Sequence, residues 1–375
     1  MNSTVQCLAH TTSIREYFLS NSFLRDLNEE NFLGTGGKLA REFGKLLTEM
    51  CSSEHDSMRP ESFVSMLLKL ANQFNGGGQH DAQELLLWIR YRLSEDTNRV
   101  RGVKPAFETE VQGTNESDEI ASARARTADQ SREDSFVNDQ TYGQVKNTTT
   151  CASPQCPNQS IKYDPIHELS VTIPGGEDAF ENADANSNAN ANESTITSAG
   201  GLTEAEQLEA AINASLLENL GNRVGNRVDL EDCIRKYSEP EQLGQTETWE
   251  CSQCNVHVRA MKTLQVYRTP PILIVHLKRF YFSESGNISI RRKIDTWVDF
   301  PLRDLKICGS IYDLYAVSNH ISAAGEDTRG HYTAYCKGED GTWRNYNDDE
   351  VTVINETDVV SQYAYILFYK RKEPE

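Results

Sequence analysis

Gly330-His331-Tyr332-Thr333-Ala334-Tyr335 and, a short gap later, Trp343-Arg344-Asn345-Tyr346-Asn347-Asp348-Asp349 decide how this chain is read. Their aromatic and β-branched residues read as two strands, with Lys337-Gly338-Glu339-Asp340-Gly341-Thr342 as the turn between them. Folding the pair about that turn sets His331 opposite position 347 or 348, two registers that the sequence leaves open. Either one brings an imidazole beside an amide or a carboxylate, as a general base is oriented for a cysteine or serine nucleophile. The plainer alternatives are an ordinary strand histidine and, for Asp348-Asp349-Glu350, a solvated acidic turn.

The chain around this hairpin has 375 residues, enough for one large domain or two ordinary ones with a sizeable core. Hydrophobic residues make up 38% and mean hydropathy is −0.59, low enough to expect polar insertions. The formal charge of −19 argues against nucleic acid and anionic membrane as partners and suits a neutral or basic protein. The longest apolar run, Pro271-Ile272-Leu273-Ile274-Val275, is strand-length and does not span a bilayer. The opening MNSTVQCLAHTTS lacks the basic-then-apolar pattern of a secretory signal. Nine cysteines, several of them single in apolar surroundings, suit a reducing compartment, cytoplasmic or nuclear, with free thiols and a metal site.

The N-terminal hundred residues carry helical spacing: Leu39, Ala40, Phe43, Leu46 and Leu47, then Phe63, Met66, Leu67 and Leu70. Ala82 to Leu93 repeats it, with Asp81 placed as the N-cap. Residues 102–139 are polar, acidic and poor in aromatics, and are expected to form a disordered insertion. A second, low-complexity insertion is expected over 174–227, with one helix inside it from Thr203 to Leu220. His167 to Ile173 alternates like a strand, and short strands follow at 258–267, 271–279, 310–318, 331–337, 342–348 and 363–370. Helices first and strands afterwards make an α+β fold.

Cys151-x4-Cys156 and Cys251-x2-Cys254 form two short knuckles that together offer four thiolates, a closed structural zinc site; bare thiols without metal are the alternative. His257, just beyond, reads as a surface residue. Gln79-His80-Asp81-Ala82-Gln83-Glu84 combines an N-cap with acidic and amide groups in the first turn, and capping alone accounts for it. Lys278 and Arg279 end a buried strand and read as structural, as do His276 and His320. Cys233, Cys308 and Cys336 read as small core residues, and Cys7 as the one thiol near a helix N-terminus.

Together these segments resemble the ubiquitin-specific proteases, the papain-like cysteine deubiquitinases, over nearly all of the chain outside the two insertions. NSTVQCLAHT is similar to the tail of the family's cysteine box, QHDAQELL to its glutamine-aspartate helix start, and the paired cysteines to its zinc ribbon. HLKRF and KIDTWVDFP lead to the histidine box, GHYTAY through WRNYNDDEV, and YAYILFYKR resembles the closing strand. The resemblance implies a single domain shaped as a right hand: a helical thumb over 1–101, fingers over 140–173 and 228–268, and a β-rich palm over 269–375. It implies His331 as general base, Asn347 as its orienter and Asp348 as an assisting carboxylate, with Gln79, Asp81, Gly330 and Tyr332 on the path of the substrate. Ubiquitin and ubiquitinated proteins are the implied partners, structural zinc the implied metal, and no organic cofactor is called for.

The family's nucleophile belongs to a stretch reading asparagine-threonine-cysteine-phenylalanine-methionine-asparagine-serine. Met1-Asn2-Ser3 match only its last three residues, so the nucleophile is expected two residues ahead of Met1. Cys7 lies about eight residues further on, roughly 12 Å along a helix. Without the thiol, catalysis falls on the order of 10⁶. The chain as written is therefore expected to be inactive, either a truncated deubiquitinase or a ubiquitin-binding pseudoenzyme.

Overall fold

The structure is a computed structural model and describes residues 1–52, 57–75, 80–106, 111–113, 115–175, 227–244, 247–285, 288–322 and 330–373. The expected helix at Thr203 to Leu220, and almost all of the second insertion, lie outside these residues.

Six helices come first: α1 (Asn2–Ala9), α2 (Thr12–Leu19), α3 (Phe23–Asp26), α4 (Lys38–Cys51), α5 (Glu61–Leu70) and α6 (Ala82–Asp96). Their apolar stripes meet one another, Leu39, Phe43 and Leu47 of α4 packing with Phe63 and Leu67 of α5 and Leu86 and Ile89 of α6. Asp96, fully buried at the end of α6, caps the start of α4, accepting hydrogen bonds from the backbone N–H of Thr35, Gly37 and Ala40.

Residues 102–139, expected to be disordered, instead hold α7 (Asp118–Gln130) and α8 (Phe136–Thr141). Ser117 and Ser135 cap them by accepting from Ile120 N and Asn138 N. The packed face of α7 is small, Ala121 and Ala125 against Tyr163, so no bulky apolar stripe marks it in the sequence. Its charges are paired, Arg124 with Glu116, Arg126 with Asp139 and Lys146 with Asp118.

Three strands follow, β1 (Gly143–Cys151), β2 (Gln159–Ile166) and β3 (Leu169–Thr172). Beyond the second insertion come β4 (Arg227–Asp229), α9 (Leu230–Tyr237), β5 (Glu241–Gln242), β6 (Trp249–Cys251), β7 (Val256–Val258) and β8 (Ala260–Arg268). A four-stranded sheet runs β2-β1-β8-β5, and the β6–β7 hairpin stands at its tip beside the β1–β2 turn.

The remaining strands are β9 (Ile272–Lys278), β10 (Phe280–Ser285), β11 (Ile288–Lys293), β12 (Trp297–Asp299), β13 (Leu305–Ile307), β14 (Ser310–Ile321), β15 (His331–Lys337), β16 (Trp343–Asn347), β17 (Glu350–Val353) and β18 (Ala364–Arg371). An eight-stranded sheet runs β17-β16-β15-β14-β18-β9-β3, with β13 paired to β14. Its central strands β9, β14 and β18 are largely buried because both faces of the sheet are covered there. On β9, Ile272 and Ile274 face the helices, while Leu273, Val275 and Leu277 join the second core with Leu230 and Cys233 of α9. Arg279 is fully buried and spends its guanidinium on the carbonyls of Ala364, Ile294 and Thr296, the structural role expected of it.

Cys308 departs from the expected core position. It is exposed, at φ +47° in the turn that joins β13 to β14. The turn and not the apolar neighbours decides its environment. Among the described residues no helix is long and apolar enough to cross a membrane.

Candidate active site

β15 and β16 pair antiparallel with Ala334 opposite Tyr346 and Tyr335 opposite Asn345, and their turn occupies the stretch expected for it. Continuing that ladder would set position 349 opposite His331. Neither of the two expected registers is therefore the backbone register. The side chains meet on the diagonal instead, His331 Nε2 lying 2.6 Å from Asn347 Oδ1. An amide oxygen only accepts, so Nε2 carries the proton and Nδ1 is the free basic nitrogen. Asp348 Oδ2 stands 3.8 Å from Nε2, with its side chain 68% exposed.

Asp348 takes φ +51° in the two-residue turn between β16 and β17, a conformation that Asp tolerates better than most residues. Asn2 of α1 holds this turn, its Nδ2 donating to Asp348 O at 3.2 Å. Just past the end of α1, His10 Nε2 meets Tyr346 OH at 3.1 Å and Thr11 Oγ1 meets Tyr315 OH at 2.7 Å. The first helix is thus tied to β14 and to the hairpin that carries His331.

A cleft of about 320 Å³ opens between the helices and the hairpin, lined by Asn2, Phe74, His80, Asp81, Ala82, Leu85, Gly330, His331, Tyr332 and Asp348. Asp81 caps α6 as expected, accepting from Gln83 N at 2.8 Å. Its carboxylate also accepts from Tyr365 OH at 2.7 and 2.9 Å, which ties the cleft wall to the central strand β18. Tyr332 stacks edge-on against His320, ring centroids 4.7 Å apart. A Cβ at Gly330 would overlap the His320 ring and come within 2.9 Å of Ile321 O, so only glycine fits there. Gln79 lies outside the described residues.

Behind Asp81, Gln83 Nε2 donates to Glu168 Oε1 at 2.5 Å. Burial is the main reason that Glu168 is pushed up to about 7, with Asp81 adding to the rise and Gln83, Arg90 and Lys278 opposing it. His276, hydrogen-bonded to Ser170 Oγ, is pulled down to about 4 by burial. Asn2, Tyr365 and Glu168 have no local signature, since each acts through a partner far away in sequence.

None of the nine cysteines lines the cleft. Cys7, expected near a helix N-terminus, is the sixth residue of the eight-residue α1 and fully buried, so the positive end of the helix is not beside it. It packs with Cys336, whose thiol burial and Cys7 together push well up. Cys151, Cys156, Cys251 and Cys254 do converge, their sulfurs all within 4.8 Å of one another. Asn158 Nδ2 and Cys254 N both donate to Cys251 Sγ, support that a thiolate needs. This cluster has the makings of a metal site.

At the mouth of the cleft the structure therefore places an imidazole held by an amide, an arrangement able to take up and return a proton. The ubiquitin carboxyl-terminal hydrolase family profile matches residues 1–369. The chain is 32% identical over 386 residues to ubiquitin carboxyl-terminal hydrolase 2 of Rattus norvegicus, covering 100% of this chain and 52% of the relative. Its counterpart in Gallus gallus is 33% identical over 347 residues, covering 90% of this chain and 81% of the relative. The chain spans about half the length of the rat, human and bovine relatives it matches. It aligns over its whole length with a chain of the SAGA DUB module bound to monoubiquitin (TM-score 0.64, 19% identity, 67% of that chain). A SAGA DUB module bound to ubiquitin aldehyde aligns similarly (TM-score 0.61, 19% identity, 100% of this chain, 68% of that chain). At these identities the structures establish a shared α+β fold. The chain belongs to the ubiquitin carboxyl-terminal hydrolase family.

Proposed function

We propose that this chain binds ubiquitin and supplies the base half of a thiol-dependent hydrolysis of peptide and isopeptide bonds at ubiquitin's C-terminal glycine. The observation that carries this is the 2.6 Å contact between His331 and Asn347 beside the cleft, in a chain of this family. His331 Nδ1 takes the proton of an attacking thiol and returns it to the leaving amine. Asn347 holds the ring in the tautomer that leaves Nδ1 free, and Asp348 steadies the imidazolium that forms. Asp81, Gly330 and Tyr332, with Gln79, guide the tail of ubiquitin toward His331. The helices over 1–101 act as the thumb, the β1–β8 sheet as fingers under the body of ubiquitin, and the eight-stranded sheet as the palm.

The four cysteines fit zinc. Their sulfurs are 3.9 Å apart for Cys151–Cys254 and 3.6 Å for Cys156–Cys251, and a tetrahedral site with Zn–S near 2.3 Å has edges of about 3.8 Å. Bound there, zinc would lock the β1–β2 turn to the β6–β7 hairpin. Nine cysteines, several of them single in apolar surroundings, suit the cytoplasm or nucleus as the place of action.

Because no cysteine lines the cleft, residues 1–375 on their own bind ubiquitin without cleaving it. Supplied with asparagine-threonine-cysteine-phenylalanine directly ahead of Met1, the same residues cleave. Titration calorimetry with ubiquitin tests the binding half. Saturable binding that His331→Ala leaves intact is expected, and absence of any heat of binding overturns the reading.

A further inference from the structure

β17 ends the eight-stranded sheet, and among the described residues it has a strand partner on one side only. All four of its residues, Glu350-Val351-Thr352-Val353, are exposed. Natural edge strands are blunted by shortness, charge, lysine, proline or a bulge; this one is short and carries Glu350 at its start, but its Val351–Val353 stretch has no charge, proline or bulge.

Hydrogen-bonding phase decides what the edge offers. Ile354 N donates to Trp343 O, so 343 and 354 form a hydrogen-bonded pair, as then do Asn345 with Thr352 and Asn347 with Glu350. The N–H and C=O groups of Val351 and Val353 therefore point away from the sheet along the free edge. Their side chains, 51% and 70% exposed, lie on the same face as Tyr346 and Arg344 opposite them. That makes two outward-facing rungs flanked by two apolar side chains.

The edge starts at the candidate site. Glu350 pairs with Asn347, and the spacings of a sheet put the Val351 backbone about 6 Å from that of Asn347 on the diagonal across the hairpin. The surroundings are mainly acidic: Asp348, Asp349 and Glu350 precede the rungs, Glu356 and Asp358 follow them, and Arg344 opposite Val353 is paired with Asp340. Arg303 is already engaged by Glu356.

We infer that β17 docks the acceptor side of the substrate, an extended basic segment carrying the modified lysine, by adding it as a further antiparallel or parallel strand. This rests on the proposed ubiquitin-directed function and deepens it. The ubiquitin tail fills the cleft from one side, while the acceptor backbone runs on from the modified lysine along the edge and pairs with Val351 and Val353. Backbone pairing supplies affinity without demanding a sequence, and the acidic rim favours lysine- and arginine-rich acceptors.

The test compares two ligands on residues 1–375: free ubiquitin, and ubiquitin isopeptide-linked to the lysine of an extended basic decapeptide. The linked ligand is expected to bind about tenfold more tightly, as a modest second contact would provide. Val353→Pro removes one outward N–H and leaves the ladder to β16 intact, so it should abolish the gain without altering the affinity for free ubiquitin. Hydrogen exchange on the unmodified chain gives a second readout: the Val351 and Val353 amides slow with the linked ligand and not with free ubiquitin. Equal affinities with unchanged exchange overturn the docking edge while leaving ubiquitin binding standing. Failure of both ligands to bind overturns the function itself. A concentration-dependent dimer in light scattering that Val353→Pro dissolves would show that a second copy of the chain occupies the edge, and would overturn the inference.

Discussion

Glu168→Gln should make the protein more stable above neutral pH and change little below about pH 4.5. The carboxyl of Glu168 is held at about 7 in the fold against 4.5 in the unfolded chain, burial being the main cause. Below 4.5 both states are protonated and the residue is neutral in effect. Between 4.5 and 7 the folded chain binds more protons than the unfolded one, so stability falls as pH rises. Above 7 the full cost of burying the charge is present. A shift from 4.5 to about 7 corresponds to about 3 kcal/mol at 1.36 kcal/mol per unit, and residual contact with water brings the expected gain to about 1–3 kcal/mol. Glutamine keeps an oxygen to accept from Gln83 Nε2, so the hydrogen bond survives and only the charge goes. Urea unfolding of both proteins near pH 4.5 and near pH 8 measures it. The depressed His276 acts with the opposite sign, losing stability as pH falls below 6.5 toward about 4, but it is common to both proteins and cancels in the difference. Parallel pH profiles for the two proteins, within about 0.5 kcal/mol, would refute the buried-carboxyl account.

Asn347→Ala frees the His331 ring, and in a chain supplied with the thiol should lower kcat about 10²-fold while affinity for ubiquitin stays the same, as steady-state kinetics on a ubiquitin–coumarin substrate would show. Gly330→Ala drives a methyl group into the His320 ring, which is already packed against Phe280 and Tyr332, and should cost about 1–3 kcal/mol in denaturant unfolding. A strong chelator should release one zinc per chain and lower Tm, and Cys251→Ser should remove both the metal and the effect of the chelator, followed by metal analysis and calorimetry.

The parts of the fold that announce themselves in the sequence do so through local pattern. Leu39 to Leu47 and Ala82 to Leu93 carry helical spacing, and Asp81 caps the second of these. The aromatic runs on either side of Lys337–Thr342 read as a hairpin because strand residues and turn residues segregate cleanly there. α7 stayed hidden because alanine and serine form its packed face, so a real helix has the composition of a disordered segment. The partnership of His331 with Asn347 was legible as chemistry, whereas the diagonal that realises it depends on where the ladder stops, at Ala334–Tyr346. Contacts such as Asn2 with the Asp348 turn and Tyr365 with Asp81 join residues hundreds of positions apart, and no periodicity encodes them. Cys308 shows the reverse error, an apolar neighbourhood in sequence overruled by a left-handed turn.

The central claim is that these residues form a ubiquitin-directed thiol-hydrolase site whose base is His331 and whose nucleophile is none of the nine cysteines present. Ubiquitin bearing a C-terminal electrophile tests it most directly, applied to residues 1–375 and to the same residues preceded by asparagine-threonine-cysteine-phenylalanine, with mass spectrometry locating any adduct. The account predicts an adduct on the added cysteine alone, lost with His331→Ala, and none on residues 1–375. An adduct at Cys7 or any other native cysteine, or no reaction of the extended chain, would contradict it.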